Sequence, residues 1–257
     1  MNFLIQKIDG QIVHDFAFTL IKSEKYSRLL EGFKGEGMKT AETSLETLKK
    51  TIEEGYPEVF RGFVPVGSVE FVSTYLRAYF PEAEDALRPL NIPECLFPFA
   101  GRKVVNVHVS DDYAPMEGVQ DIYVRSMDEI DDWFNGPKYN VPENYEWKTF
   151  QHSQVSEFIE ILSKWRVIVF HDKIRHIAPF SGDCTLFPSA DAIKRMVETY
   201  KGNSPAAYIL DVAVTNKGMT VIIECRRFFS CRLYGFEDCL ELPFMFSETW
   251  YEMINTK

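Results

Sequence analysis

Apolar and polar positions change period several times along the chain. Phe3, Ile5 and Ile8 mark a strand over residues 2–8, and Asp9-Gly10 turns into a returning strand, Gln11–Leu20. A Gly- and Lys-rich loop follows from Leu30 to Thr40, then Leu45, Leu48 and Ile52 predict a helix over Ala41–Glu54, stopped by Gly55. The β-branched run Val59–Val66 reads as a buried strand. After Gly67-Ser68, the residues Phe71, Val72, Tyr75, Leu76 and Tyr79 lie on one helical face, and Pro81 ends the helix.

Residues 81–118, with several prolines and Arg102, read as a connection into a second lobe, with Val104–Val109 as a short strand. A strand Ile122–Arg125, a helix Met127–Phe134 and an exposed loop Gly136–Tyr145 are expected next. From Val155 the pattern is strand-rich. Val155–Leu162, Trp165–Phe170 and Lys173–Phe180 are three runs, with His171-Asp172 as the turn between the last two. A helix Ala190–Tyr200 precedes two strands, Ala206–Val214 and Met219–Cys225, joined by Asn216-Lys217-Gly218. A helix Met245–Ile254 closes the chain. Helices packed on largely antiparallel sheet make an α+β fold.

The 257 residues suit one large domain or two small ones, at roughly 100–200 residues each. The division expected is an N-terminal lobe over 1–118 and a C-terminal domain over 119–257. With 46% hydrophobic and 26% charged residues, the composition excludes a disordered chain. The formal charge of −10 argues against a general nucleic-acid binder, which carries a basic face. Cys95, Cys184, Cys225, Cys231 and Cys239 form no C-x-x-C pair, so buried thiols in a reducing cytoplasm are expected rather than disulfides or zinc. No signal peptide and no run of the ~20 apolar residues that span a bilayer is expected.

Phosphate-loop, G-x-G-x-x-G, nucleophile-elbow and H-E-x-x-H patterns are all missing. Chemistry is concentrated instead in the C-terminal half. Asp211 and Glu224 sit inside apolar strand runs on the two arms of one hairpin. A carboxylate there is costly unless paired or on a cation. Two readings stand: the pair holds Mg²⁺ against phosphates, or Asp211 pairs with a nearby Arg or faces solvent at an edge. Lys164, Arg166, Arg226, Arg227, Arg232 and Arg125 gather cations around them, which suggests an anion site. Strand alternation allows only one of Arg226 and Arg227 to join it.

Taken in order, Ile122-Tyr123-Val124-Arg125-Ser126, Ser163-Lys164-Trp165-Arg166 and Ser181-Gly182-Asp183 resemble the phage-associated ATP-grasp family. So do Tyr208-Ile209-Leu210-Asp211-Val212, Ile223-Glu224 and Leu233-Tyr234-Gly235-Phe236. Upstream, Gly67-Ser68-Val69-Glu70-Phe71 and Arg88-Pro89-Leu90-Asn91-Ile92-Pro93 are similar to its N-terminal lobe.

The resemblance implies two lobes with mixed and antiparallel sheets clasping a nucleotide cleft. It also implies an ATP-dependent ligase joining a carboxylate to an amine, with ATP and Mg²⁺ as cofactors. Carried over, Arg125 takes the place of the family's phosphate-binding Lys, with Ser126 beside it. Arg166 matches the Arg of S-E-W-R. Asp211 and Glu224 match the metal-binding Asp and the Glu of E-x-N. On this reading Arg166 and Arg226 are catalytic, Arg125, Ser126, Lys164, Arg166 and Arg232 bind nucleotide, and Asp211 and Glu224 hold metal. The partners are a nucleotide and a carboxylate or amine substrate, in the cytoplasm of a bacterium or phage-infected host.

Four departures raise the charge or change its shape. The family's Asn in E-x-N is Arg226, its Glu in S-E-W-R is Lys164, its Lys is Arg125, and a Gly is Arg232. Arg cannot ligate Mg²⁺ and repels it. The departures imply weakened or lost metal-dependent catalysis with a retained anion-binding cleft. The alternatives are a ligase in which Arg226 supplies one metal's charge, and a non-catalytic phage or host-interaction protein that reuses the fold.

Overall fold

The structure is a computed structural model. It describes residues 1–9, 11, 12, 17, 19–24, 38–55, 57–87, 90–108, 122–126, 138, 139, 152–230 and 232–255, the strands at 122–126 and 138–139 by their backbone alone. The expected helix Met127–Phe134 and the domain boundary at 118/119 lie outside these residues. Two compact units are present: Met1–Leu87 with Pro205–Ala207 and Phe228–Lys257, and Arg88–Ser204 with Tyr208–Arg227.

The first unit is built on a strand β1 (Asn2–Ile8). It pairs antiparallel with the short β2 (Gln11–Ile12), and parallel with β3 (Lys39–Thr43) and β4 (Val64–Val66). Phe3, Leu4 and Ile5 are fully buried, because a strand flanked by parallel neighbours has both faces covered. The helix Val69–Tyr79 forms as the apolar spacing predicts. Its Ser68 hydroxyl caps Phe71 N–H at 3.1 Å, and Phe71, Val72, Tyr75, Leu76 and Tyr79 are buried. Tyr75 packs edge-on against Trp250 of the terminal helix Leu242–Asn255, with ring centroids 5.7 Å apart.

Three expectations here are corrected. The returning strand ends at Ile12, and residues 19–24 are helical. Ala17, Leu20 and Ser23 are buried at a spacing of three, which is the period of a helical face and not of strand alternation. The helix expected from Ala41 starts at Leu45. Thr40 to Thr43 pair with Phe3 to Gln6, and the Ser44 hydroxyl then caps Thr47 N–H at 3.0 Å. The run Val59–Val66 contributes only β4. Pro57, which lacks an N–H, opens a 3₁₀ turn to Val59, and Gly62 at φ +83° turns the chain before Val64.

The second unit holds two four-stranded sheets. One has the order β5-β8-β6-β7, made of β5 (Val104–His108), β6 (Ile122–Ser126), β7 (Lys138–Tyr139) and β8 (His152–Glu157), paired antiparallel. The other has the order β10-β9-β11-β12, made of β9 (Ile161–Phe170), β10 (Lys173–Gly182), β11 (Ala207–Thr215) and β12 (Thr220–Arg227). The single strand expected over Val155–Leu162 is therefore two strands in different sheets. Val155 is fully buried, whereas Phe158 and Leu162 are exposed, so one continuous apolar face never existed. His171 and Asp172 turn β9 into β10 with φ of +48° and +56°, the twist that two-residue hairpins favour.

One face of the second sheet carries Trp165, Val167, Val169, Tyr208, Leu210 and Val212. These pack on Ile193, Met196, Val197 and Tyr200 of the helix Ala190–Tyr200. Strand alternation then sends Lys164, Arg166 and Asp211 to the opposite face.

Candidate functional site

The opposite face of that sheet is where charge has been buried. Arg166 on β9 and Asp211 on β11 are 4% and 1% exposed. Arg166 donates Nε to Asp211 Oδ1 at 2.8 Å and Nη2 to Oδ2 at 2.7 Å, a two-pronged pair. Asp211 lies directly opposite Glu224 in the β11–β12 register. Arg226, two residues further along β12, reaches back to both. Its Nε is 3.2 Å from Asp211 Oδ2, and its Nε and Nη2 both contact Glu224 Oε2. Burial works to lower the Arg226 pKa, but Glu224 and Asp211 outweigh it and hold the guanidinium above its usual range. The four groups are neutral as a set.

A β-bulge makes this geometry possible. The register passes from Asp211↔Glu224 to Val212↔Ile222, so Ile223 is an extra residue on β12. Ile222 and Cys225 both belong to the core, although three residues apart on a regular strand would put them on opposite faces. The extra residue restores the phase and turns Glu224 and Arg226 to the side of Asp211.

A cavity of about 130 Å³ opens over this face. Lys164, Phe180, Ile223, Glu224 and Arg226 line it from the sheet, while Arg102 and Phe158 line it from outside. The Arg166 guanidinium also sits 5.3 Å from the Phe180 ring centroid. Arg102 is a brace. Its Nε donates to Ser156 Oγ at 3.0 Å, and its Nη1 donates to the carbonyls of Ala100 at 3.1 Å and Ile222 at 2.9 Å. The sequence offered Arg102 no role, because the partners that fix it, Ser156 and the Ile222 carbonyl, are more than fifty residues away. Gln154 is a second such residue. Buried on β8, it accepts from Ile92 N–H at 3.0 Å and donates to Ile92 C=O at 3.1 Å.

Of the expected site residues, the structure brings Lys164, Arg166, Asp211, Glu224 and Arg226 together. Arg227, next to Arg226 on β12, pairs with Tyr208, so alternation directs it to the other face. The backbone of Arg125 lies opposite Gln154 in β6, but the side chains of Arg125 and Ser126 lie outside the described residues. Arg232 is exposed and belongs to the first unit.

Asp211 and Glu224 do not fit Mg²⁺ in this arrangement. A hard cation needs their oxygens free and mutually directed, and guanidinium groups engage both carboxylates. Among the described residues, no three His, Cys, Asp or Glu side chains gather as a metal site. None of the described helices is long and apolar enough to cross a membrane.

Comparison with solved structures finds the fold again at low identity. The RimK domain ATP-grasp protein of Sphaerobacter thermophilus is 11% identical, with all of both chains covered and a TM-score of 0.51. The macrocyclase MdnC of Microcystis aeruginosa, solved with its precursor peptide MdnA, is 12% identical over 96% of this chain and 99% of that one, at a TM-score of 0.48. D-alanine–D-alanine ligase of Bacillus anthracis is 9% identical over 98% and 97%, at 0.45. No curated protein matches the chain. A family described as an ATP-grasp domain, the second family of its clade, matches residues 99–239, more than half of the sequence and the whole of the charged face described above. The chain therefore belongs to this ATP-grasp domain family, and through it to the ATP-grasp superfamily.

Proposed function

We propose that this ATP-grasp protein binds an anionic ligand in the second unit without a divalent metal, and that metal-dependent carboxylate–amine ligation has been lost. The observation that carries this reading is Arg226, whose guanidinium contacts Asp211 and Glu224 together. ATP-grasp ligases use Mg²⁺ and cations to neutralise charge as the γ-phosphate moves to a carboxylate. Here a fixed, non-exchangeable cation bridges the two carboxylates. It can hold them in place, but it carries one charge rather than two and has no open coordination position. Lys164 adds a further cation at the edge of the cavity. The expectation of peptide or amide formation is supported by family membership alone.

Calorimetric titration with ATP, with and without Mg²⁺, tests the reading together with an assay for ADP release. The expected result is an affinity that Mg²⁺ does not raise, and no ADP above the protein-free rate. Mg²⁺-dependent binding with ADP release would overturn it.

A further inference from the structure

The charge balance around the cavity specifies more than an anion. Arg226 and Arg166 are engaged by Asp211 and Glu224. Glu157 accepts from Lys103 N–H at 2.8 Å at the far rim. Lys164 is half-buried, lines the cavity, and makes no hydrogen bond or ion pair among the described residues. A half-buried ammonium without a counter-charge gains when one arrives. The cations Arg102, Lys164, Arg166 and Arg226 set against Glu157, Asp211 and Glu224 leave a single positive charge. A polyphosphate brought here would face three carboxylates with one net charge to offset it.

The remaining wall is apolar. Phe158, Ile159, Ile161, Phe180 and Ile223 supply most of it. A volume of about 130 Å³ is close to the ~150 Å³ apolar cavity that accommodates one benzene ring.

From the cavity's charge and size we infer that its ligand is a small monoanion with a ring-sized apolar body, a carboxylate of the benzoate class. Its carboxylate lies on Lys164 Nζ and its body against Phe158, Phe180 and Ile223. This rests on the metal-free anion-binding reading and narrows it to one ligand class. Lys164 is the residue that sets specificity, because a compact ammonium matches a carboxylate as a point charge.

The test is calorimetric titration of the full chain with benzoate, with benzyl alcohol and inorganic phosphate as comparison probes, in the absence of divalent metal. Benzoate is expected to bind at least tenfold more tightly than either probe. Lys164→Met is expected to cost at least tenfold in benzoate affinity while leaving the thermal midpoint unchanged, and Lys164→Arg to retain part of it. No benzoate binding up to millimolar concentration, or equal binding by Lys164→Met, would overturn the inference. If ATP binds without metal while benzoate fails, the anion-binding reading stands and only the monoanion class falls. Mg²⁺-dependent ATP turnover removes that reading whatever benzoate does.

Discussion

Arg166 and Asp211 share two parallel hydrogen bonds of 2.8 and 2.7 Å inside the β10-β9-β11-β12 sheet, and Arg226 approaches the same Asp211 carboxylate from β12. Two guanidiniums therefore converge on one carboxylate that is almost wholly removed from water. Each of these groups alone would carry a large desolvation cost, and only the assembled set is tolerable.

That arrangement makes Asp211 the keystone of the second unit. Asp211→Ala leaves Arg166 charged, buried and without its two-pronged partner, and is expected to cost about 3–5 kcal/mol in urea denaturation. The double variant Arg166→Met with Asp211→Leu removes both charges, and is expected to recover most of that loss. A double variant no more stable than Asp211→Ala would contradict the coupling.

Gly182 ends β10 at φ +79°, and a Cβ there would lie 2.2 Å from the Leu162 carbonyl oxygen. Gly202 also has a positive φ, +85°, but open space around it. Gly202→Ala should therefore cost only the left-handed backbone penalty of about 1–2 kcal/mol. Gly182→Ala should cost clearly more, because the carbonyl must move as well. Chemical denaturation of the two variants side by side makes the comparison, and equal losses would show that β9 yields without strain.

Tyr75, Tyr200 and Tyr208 give the protein an alkaline limit. Burial, the first cause in each case, raises all three phenols above the ordinary value near 10. The folded state keeps its protons where the unfolded chain has already released them. Their contribution is therefore whole below about pH 10 and is lost as the pH climbs beyond it. An ultraviolet titration of phenolate is expected to show a late group of tyrosines that ionise together with loss of secondary structure. Three tyrosines titrating reversibly near 10 in a folded protein would contradict this.

Much of the second unit could be read directly from the sequence. The helix Ala190–Tyr200 and both hairpin turns were marked by local signals: apolar spacing, His171-Asp172 and Asn216-Lys217-Gly218. Asp211 and Glu224 were conspicuous as carboxylates in apolar strands, and one of the two open readings for Asp211, an Arg partner, is what the structure shows. What could not be read depends on non-local geometry. The bulge at Ile223 leaves no mark in composition, yet it decides which way Glu224 and Arg226 face. Arg102 is fixed by a carbonyl 120 residues away. In the first unit, Thr40 to Thr43 joined a strand rather than a helix because β1 lay beside them, a tertiary contact that helix spacing cannot reveal.

The central claim is that Arg226 occupies the position a divalent cation would otherwise take between Asp211 and Glu224. Its most direct test is Mn²⁺ binding followed by electron paramagnetic resonance, in the unmodified protein and in Arg226→Asn. Removing the guanidinium leaves two facing carboxylates with an amide oxygen nearby, a donor set suited to a hard cation. The account predicts no Mn²⁺ uptake at this site by the unmodified chain and a new site, at least tenfold tighter than background, in Arg226→Asn. Stoichiometric Mn²⁺ binding by the unmodified protein that is lost in Asp211→Asn would contradict it.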